Sequence, residues 1–172
     1  MNIAALLNDK DRKPKAKTEA LSAALLDQSL SVADVIEFAA SAKDPLKATC
    51  IEALEFATKQ NLALATLGCL EFVSKTLTTK APRVKWESAR VIGNIAHRFP
   101  ANLEDAIRNL LENSEHEGTV VRWSAAFALG EIYKLKTSHN AELLTAFEAI
   151  VAREEKRSIQ KIYREAIKKA SK

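Results

Sequence analysis

Val84-Lys-Trp-Glu-Ser-Ala-Arg-Val-Ile-Gly-Asn-Ile95 and Val121-Arg-Trp-Ser-Ala-Ala-Phe-Ala-Leu-Gly-Glu-Ile132 read as one segment written twice. They lie 37 positions apart and share five of twelve residues, where chance gives fewer than about one. The apolar residues fall at i, i+4, i+7 and i+8, with the small Ser88 at i+4 in the first copy, the stripe of an amphipathic helix. A short repeat of this kind cannot bury its stripe alone. It must stack on its neighbours, which restricts the chain to an array of similar units.

Fainter copies flank this pair. Leu46 and Lys47 stand where Val84 and Lys85 stand, 38 positions earlier, and Ile159, Tyr163, Ala166 and Ile167 stand where Val121, Ala125, Ala128 and Leu129 do, 38 positions later. The intervening segments repeat as well. Leu103, Ile107, Leu110 and Leu111 correspond to Leu143, Phe147, Ile150 and Val151 at a spacing of 40. Each unit is therefore a pair of helices. The spacing predicts ten of them, over 2–8, 14–28, 32–42, 45–59, 61–78, 82–98, 102–114, 119–136, 140–153 and 156–170. Start signals agree: Asp44-Pro45 as N-cap and first residue, Ser31 with Asp34, Asn102 with Asp105, Pro82, and Gly118-Thr119. Pro100 closes the helix that carries His97 and Arg98.

Composition supports helices over strands. Of 172 residues, 47% are hydrophobic, while Gly and Pro number four each, too few for a protein rich in turns. The net charge of +4 is uneven: residues 153–172 carry +5, residues 1–20 carry +2, and the stretch between is at −3. Basicity at the two ends, without one continuous stripe, weakens the case for nucleic acid that a basic chain raises. The basic C-terminal helix reads first as a charged outer cap, with an anion contact as the alternative. No apolar run is long enough to span a membrane, and the N-terminus lacks the pattern of a signal peptide. A cytoplasmic protein is expected.

The second helices of the units resemble the inner helices of HEAT repeats. The family pattern of an Asp-Pro-like start, Val-Arg, Ala-Ala and Ala-Leu-Gly is matched by Thr119–Ile132. Val84–Ile95 matches it with Lys for Arg, 44–54 matches it at its start, and the last unit matches in its apolar spacing alone. The first unit has Ala16-Lys17 in place of Val-Arg. The resemblance implies an all-α fold: a right-handed α-solenoid of four to five stacked antiparallel helix pairs, second helices lining a concave face. Residues 1–172 form one domain in this reading, with 1–28 a degenerate N-terminal capping repeat and 140–172 a C-terminal one. It also implies binding rather than catalysis, with a protein or peptide as partner. The alternative is a nucleic-acid binder akin to the DNA alkylation repair proteins, which are built from similar repeats.

Two lines of residues off the apolar stripe are the candidate site. They are Trp86, Arg90 and Asn94 on one second helix, continuing to His97, and Trp123, Phe127 and Glu131 on the next, continuing to Lys134. Side-by-side helices would place Trp86 beside Trp123 and Arg90 beside Phe127. The line extends through Ala48, Glu52 and Phe56 on one side and Lys161, Glu165 and Lys169 on the other. Trp, Phe and Arg are the types that anchor interfaces. The same residues would equally serve as packing between repeats. A glycosylase would need a basic face and a carboxylate beside the Trp pair; no acid stands at i+4 from either Trp, which leaves Glu52 on another helix. In the resembling family the position of Lys85 and Arg122 pairs with acids of neighbouring turns, which implies a structural use. The Gly93 and Gly130 pair implies close approach of helices.

Chemistry is sparse. His97, His116 and His139 have no second His at i+4 and no Cys nearby, so neither metal nor cofactor is expected. Cys50 and Cys69 sit in apolar helical context as buried thiols. Phosphate loops, nucleophile elbows and Cys–His pairs are absent from the sequence.

Overall fold

A computed structural model describes residues Met1–Lys172 and consists of ten α-helices without strands. They are α1 Ile3–Asn8, α2 Pro14–Leu26, α3 Val32–Ser41, α4 Asp44–Gln60, α5 Leu67–Thr76, α6 Pro82–Ile95, α7 Glu104–Asn113, α8 Thr119–Tyr133, α9 Asn140–Arg153 and α10 Arg157–Ala170. Successive helices form five pairs. The second helices α2, α4, α6, α8 and α10 pack on one another in an unbroken row, while the row of first helices is looser and opens between α7 and α9. The stack therefore curves with the second helices on its inner side.

The apolar stripes meet in one continuous core. Val121, Ala125, Ala128, Leu129 and Ile132 of α8 are all buried, as are Leu103, Ile107 and Leu110 of α7 and Leu143, Phe147 and Ile150 of α9. Ile159, Tyr163 and Ala166 close the C-terminal end, where Phe147 stands between Tyr133 and Tyr163 with ring centroids 5.1 and 4.7 Å away. Such tilted, edge-on aromatic contacts add to plain burial.

The helix starts follow local chemistry. Ser31 and Asp34 form a reciprocal capping box. Pro82 occupies the first turn of α6, where its missing N–H has no cost. Three expected details differ. The helix expected over 61–78 is divided: Asn61 caps a short 3₁₀ turn at Leu62–Leu64, and Thr66 accepts from the Cys69 N–H to start α5 anew. Asn102 is not a cap, because α7 begins at Glu104 with Leu103 in the cap position. Asp44 and Pro45 lie one step further in than expected, inside the first turn of α4 behind Lys43. Helices α2 and α8 end sooner than periodicity implies. Just beyond them Gln28 (φ 65°) and Lys136 (φ 56°) take the left-handed conformation that stops a helix.

A repeated clamp ties the units together at the turns. The second residue of the Val-Lys or Val-Arg pair reaches back to carbonyls at the end of the preceding helix or in the turn that follows it. Lys85 Nζ donates to Leu77 O at 3.0 Å, and Arg122 donates to His116 O and Glu117 O at 3.1 and 2.9 Å. Lys17 does the same to Leu7 O at 2.8 Å. The first unit, which lacks the sequence signature, thus keeps its contact. Each clamp also reaches forward in the two central cases: Lys85 Nζ donates to Asn113 Oδ1 at 2.9 Å, and Arg122 Nε pairs with Glu154 at 3.0 Å. Asn113 in turn donates to Leu77 O.

Candidate functional site

Neighbouring second helices are staggered by about one turn, and this stagger decides which side chains meet on the inner row. Arg90 of α6 lies over the Trp123 ring, 5.7 Å from its centroid. Trp123 and Phe127 stack on each other with centroids 6.1 Å apart and planes 13° from parallel. The two tryptophans form no ring pair. The Phe127 ring lies on Gly93, where a β-carbon would fall 2.3 Å from its edge. Gly93 is therefore small to admit a side chain from the next repeat. Gly130 faces Ala166 and Ile162 of α10 at ordinary contact distance.

Trp123 is the exposed member of the group, with 37% of its surface open, while Trp86, Arg90, Phe127 and Glu131 are half-buried. Asn94 is engaged elsewhere: its amide donates to Glu55 O at 3.1 Å and to Thr58 Oγ1 at 3.4 Å, joining α6 to α4. Glu131 pairs with Lys134 on its own helix. So of the six candidates, Arg90, Trp123 and Phe127 form one patch, Glu131 borders it, Asn94 faces the neighbouring repeat, and Trp86 belongs to a second group.

That second group is a set of carboxyls that sequence reasoning missed. Glu52 and Glu55 of α4 face Glu87 of α6. Arg83 holds Glu52 at 2.6 Å, and Arg90 approaches Glu55 at 3.9 Å. Glu87 is only 5% exposed; its Oε1 accepts from the Trp86 indole N–H at 3.1 Å, and its Oε2 has no donor. Burial, then the Glu55 carboxyl and the charge of Glu52, push the Glu87 carboxyl up to about 8, against a weaker opposing bond from Trp86. An acid in this setting keeps its proton at neutral pH. Glu87 occupies the place of Ser124, which is wholly buried, so a Glu there is an ionisable group inside the stack.

Beyond this group the inner row widens into a groove of about 470 Å³ between α2 and α4, with Leu26 and Phe56 on its floor and Lys15, Glu19, Glu52 and Gln60 on its rim. Phe56 is 40% exposed.

The fold has counterparts among solved structures. A crystal structure of an engineered protein matches 98% of this chain and 78% of its own at a TM-score of 0.75 and 20% identity. A designed armadillo repeat protein in complex with the peptide (KR)4 matches 98% and 80%, at a TM-score of 0.72 and 15% identity. The fold is an armadillo-like helical-repeat solenoid. The complex of CpcE and CpcF of phycocyanin lyase from Nostoc sp. PCC7120 shares this solenoid architecture over 96% of this chain and 99% of the other, at a TM-score of 0.66 and 18% identity. No family profile matches the sequence, and no curated protein does. At such identities the likeness is one of fold.

Burial pushes the Cys50 and Cys69 thiols up to about 12, which keeps them protonated and unreactive. No three His, Cys, Asp or Glu side chains stand together as metal ligands. No helix is long and apolar enough to cross a membrane.

Proposed function

We propose that this chain is a non-catalytic adaptor that binds an extended segment of a partner protein along its inner row of second helices, with Trp123 as the anchor. The observation that carries the reading is the Trp123 patch. An indole more than a third exposed is stacked on Phe127 and has Arg90 over its ring, so it is held in one orientation while part of its surface stays open to water. A pre-ordered aromatic loses little side-chain freedom on binding, and this favours affinity. The patch continues through the carboxyl group to the α2–α4 groove, a path that suits a linear segment. The structural neighbour that holds a peptide supports the same mode of use.

The nucleic-acid alternative meets one of its two requirements. Carboxyls do lie beside Trp86. The face around them is lined by Glu52, Glu55 and Glu131 alongside its arginines, which opposes phosphate binding. The test is affinity capture from the native cell with wild type and Trp123→Ala, together with a duplex DNA titration at low and high salt. A partner retained by wild type and lost with Trp123→Ala is expected. Salt-sensitive DNA binding without protein capture would replace the adaptor reading with the alternative.

A further inference from the structure

Each central second helix receives the next one on a face of small residues. Gly93 of α6 meets Phe127 of α8, and Gly130 of α8 meets Ala166 and Ile162 of α10. Ala89 and Ala126, one turn earlier on the same faces, are buried too. Carried forward by the repeat spacing of 38, Ala126 and Gly130 fall on Arg164 and Lys168 of α10, both exposed. With the exposed Arg157 and Lys161 they form a row at i, i+4, i+7 and i+11, which runs about 16 Å. The row is two positions out of phase with the buried stripe Ile159, Tyr163 and Ala166, and so lies on the opposite side of the helix. A polar cap at the end of an array needs no particular sign. This one has a single sign, at a cost to the helix. Arg157 and Lys161, Lys161 and Arg164, and Arg164 and Lys168 are like-charge neighbours one turn apart. Lys156 and Arg157 also stand at the start of α10, where the helix dipole disfavours cations, with no acid in the first turn. Lys161 and Glu165 form the one ion pair on α10, at 3.8 Å and largely open to water, which leaves Arg157, Arg164 and Lys168 without a carboxylate partner. An anion laid along the row would relieve all of these repulsions together.

We propose that the outer row of α10, Arg157, Lys161, Arg164 and Lys168, binds the phosphate backbone of a nucleic-acid duplex without reading its sequence. This goes beyond the adaptor reading and uses a different face from the inner-row patch of Trp123. The side chains that α10 lacks on this face decide the occupant. The centre of a protein interface is apolar and aromatic and poor in lysine, whereas Tyr163 is buried here and the half-buried Ile162 and Ile167 pack on the core. A membrane-bound helix offers its apolar side chains to the lipid, and those of α10 are committed to the stack. Single strands are held by bases stacked on aromatic rings, and α10 exposes none. A duplex needs neither apolar nor aromatic contacts. It carries one phosphate per about 1.7 Å of its axis, so flexible cations one turn apart on a straight helix find partners in any register.

The probes are a fluorescein-labelled DNA duplex of about 20 base pairs, one of its strands alone, phosphatidylserine vesicles and a polyglutamate peptide, each titrated with the full chain over a range of salt. For the duplex, log affinity should fall against log salt with a slope of about −3 to −4, a loss of about a hundredfold between about 50 and about 200 mM. Arg157→Gln, Arg164→Gln and Lys168→Gln combined leave one cation of the row, so the slope should drop to about −1 and low-salt affinity by about a hundredfold. This variant alters exposed side chains and relieves like-charge neighbours, so its melting temperature should equal or exceed that of wild type. Lys10→Gln, Lys13→Gln and Lys15→Gln combined remove the same charge from the other end of the chain and should change duplex binding by no more than about twofold, because salt screens charges at that distance. Trp123→Ala should leave it unchanged. The proposal is overturned if the α10 variant binds the duplex as wild type does, or if the N-terminal variant loses as much. It is overturned too if Trp123→Ala abolishes binding, which would put the duplex on the inner row, or if the vesicles, the peptide or the single strand bind more tightly than the duplex. Protein capture through Trp123 is read separately, and its failure would leave the α10 row standing.

Discussion

The Phe127 ring occupies the place where a β-carbon on Gly93 would lie, with its Cε1 atom 2.3 Å away. At the equivalent position of the next repeat, Gly130 meets Ala166 and Ile162 no closer than 3.5 Å. One glycine of the repeat is filled from outside and the other is not. The same substitution should therefore act oppositely at the two places. Gly93→Ala forces the Phe127 ring out of its seat and should cost about 1–3 kcal/mol. Gly130→Ala adds a methyl at ordinary contact distance and gains helix propensity, up to about 1 kcal/mol of stability. Urea unfolding of the two variants checks both signs, and Trp123 fluorescence should shift only in the first.

Aromatic truncation separates surface from core. Trp123→Ala removes a partly open ring and should cost about 1 kcal/mol, whereas Phe147→Ala empties a site with no exposure and should cost about 3–5 kcal/mol. Equal losses in denaturant titrations would place Trp123 in the core and count against its role as an anchor.

Stability should depend on pH through Glu87. Its folded carboxyl is raised above the ordinary 4.5 to about 8, so the folded state holds a proton that the unfolded chain releases. That contribution is complete below about pH 4.5 and is lost as pH climbs toward 8, with a slope of at most about 1.4 kcal/mol per pH unit. Glu87→Gln should flatten this slope and exceed wild type at pH 8 and above. Thermal unfolding at a series of pH values reads the difference.

Glu154 should act in the opposite sense. Burial works to raise its carboxyl, but Arg122 and the backbone N–H groups of Lys156 and Glu155 outweigh that and hold it below 4.5. Its contribution is present above that value and disappears as pH falls through the lowered one. Arg122→Met would strand a buried carboxylate and uncap two carbonyls, at a cost of about 3 kcal/mol near neutral pH. The deficit should shrink in acid, where Glu154 takes up a proton, and circular dichroism melts at two pH values would show it.

Much of the architecture was legible because helical periodicity and repeat spacing are properties of single residues counted along the chain. All ten helices and the buried stripes of α7, α8 and α9 follow from them. The break at Asn61–Thr66 was not visible, because a cap interrupts a helix without interrupting its apolar pattern. Pairing across helices was harder still. Alignment of repeat positions sets Trp86 beside Trp123, but packed helices settle with a one-turn offset, and the indole meets Arg90 instead. Glu87 escaped notice for a related reason: its neighbours Glu52 and Glu55 lie more than thirty residues away, and only their convergence makes it an unusual acid.

The clamps of Lys17, Lys85 and Arg122 each join a unit to itself or to the next one along, and none reaches further. A molecule stitched in this way has no bond between its first turn and its last. It can lose structure from an extremity inward, like a zip, while the middle units keep their hold.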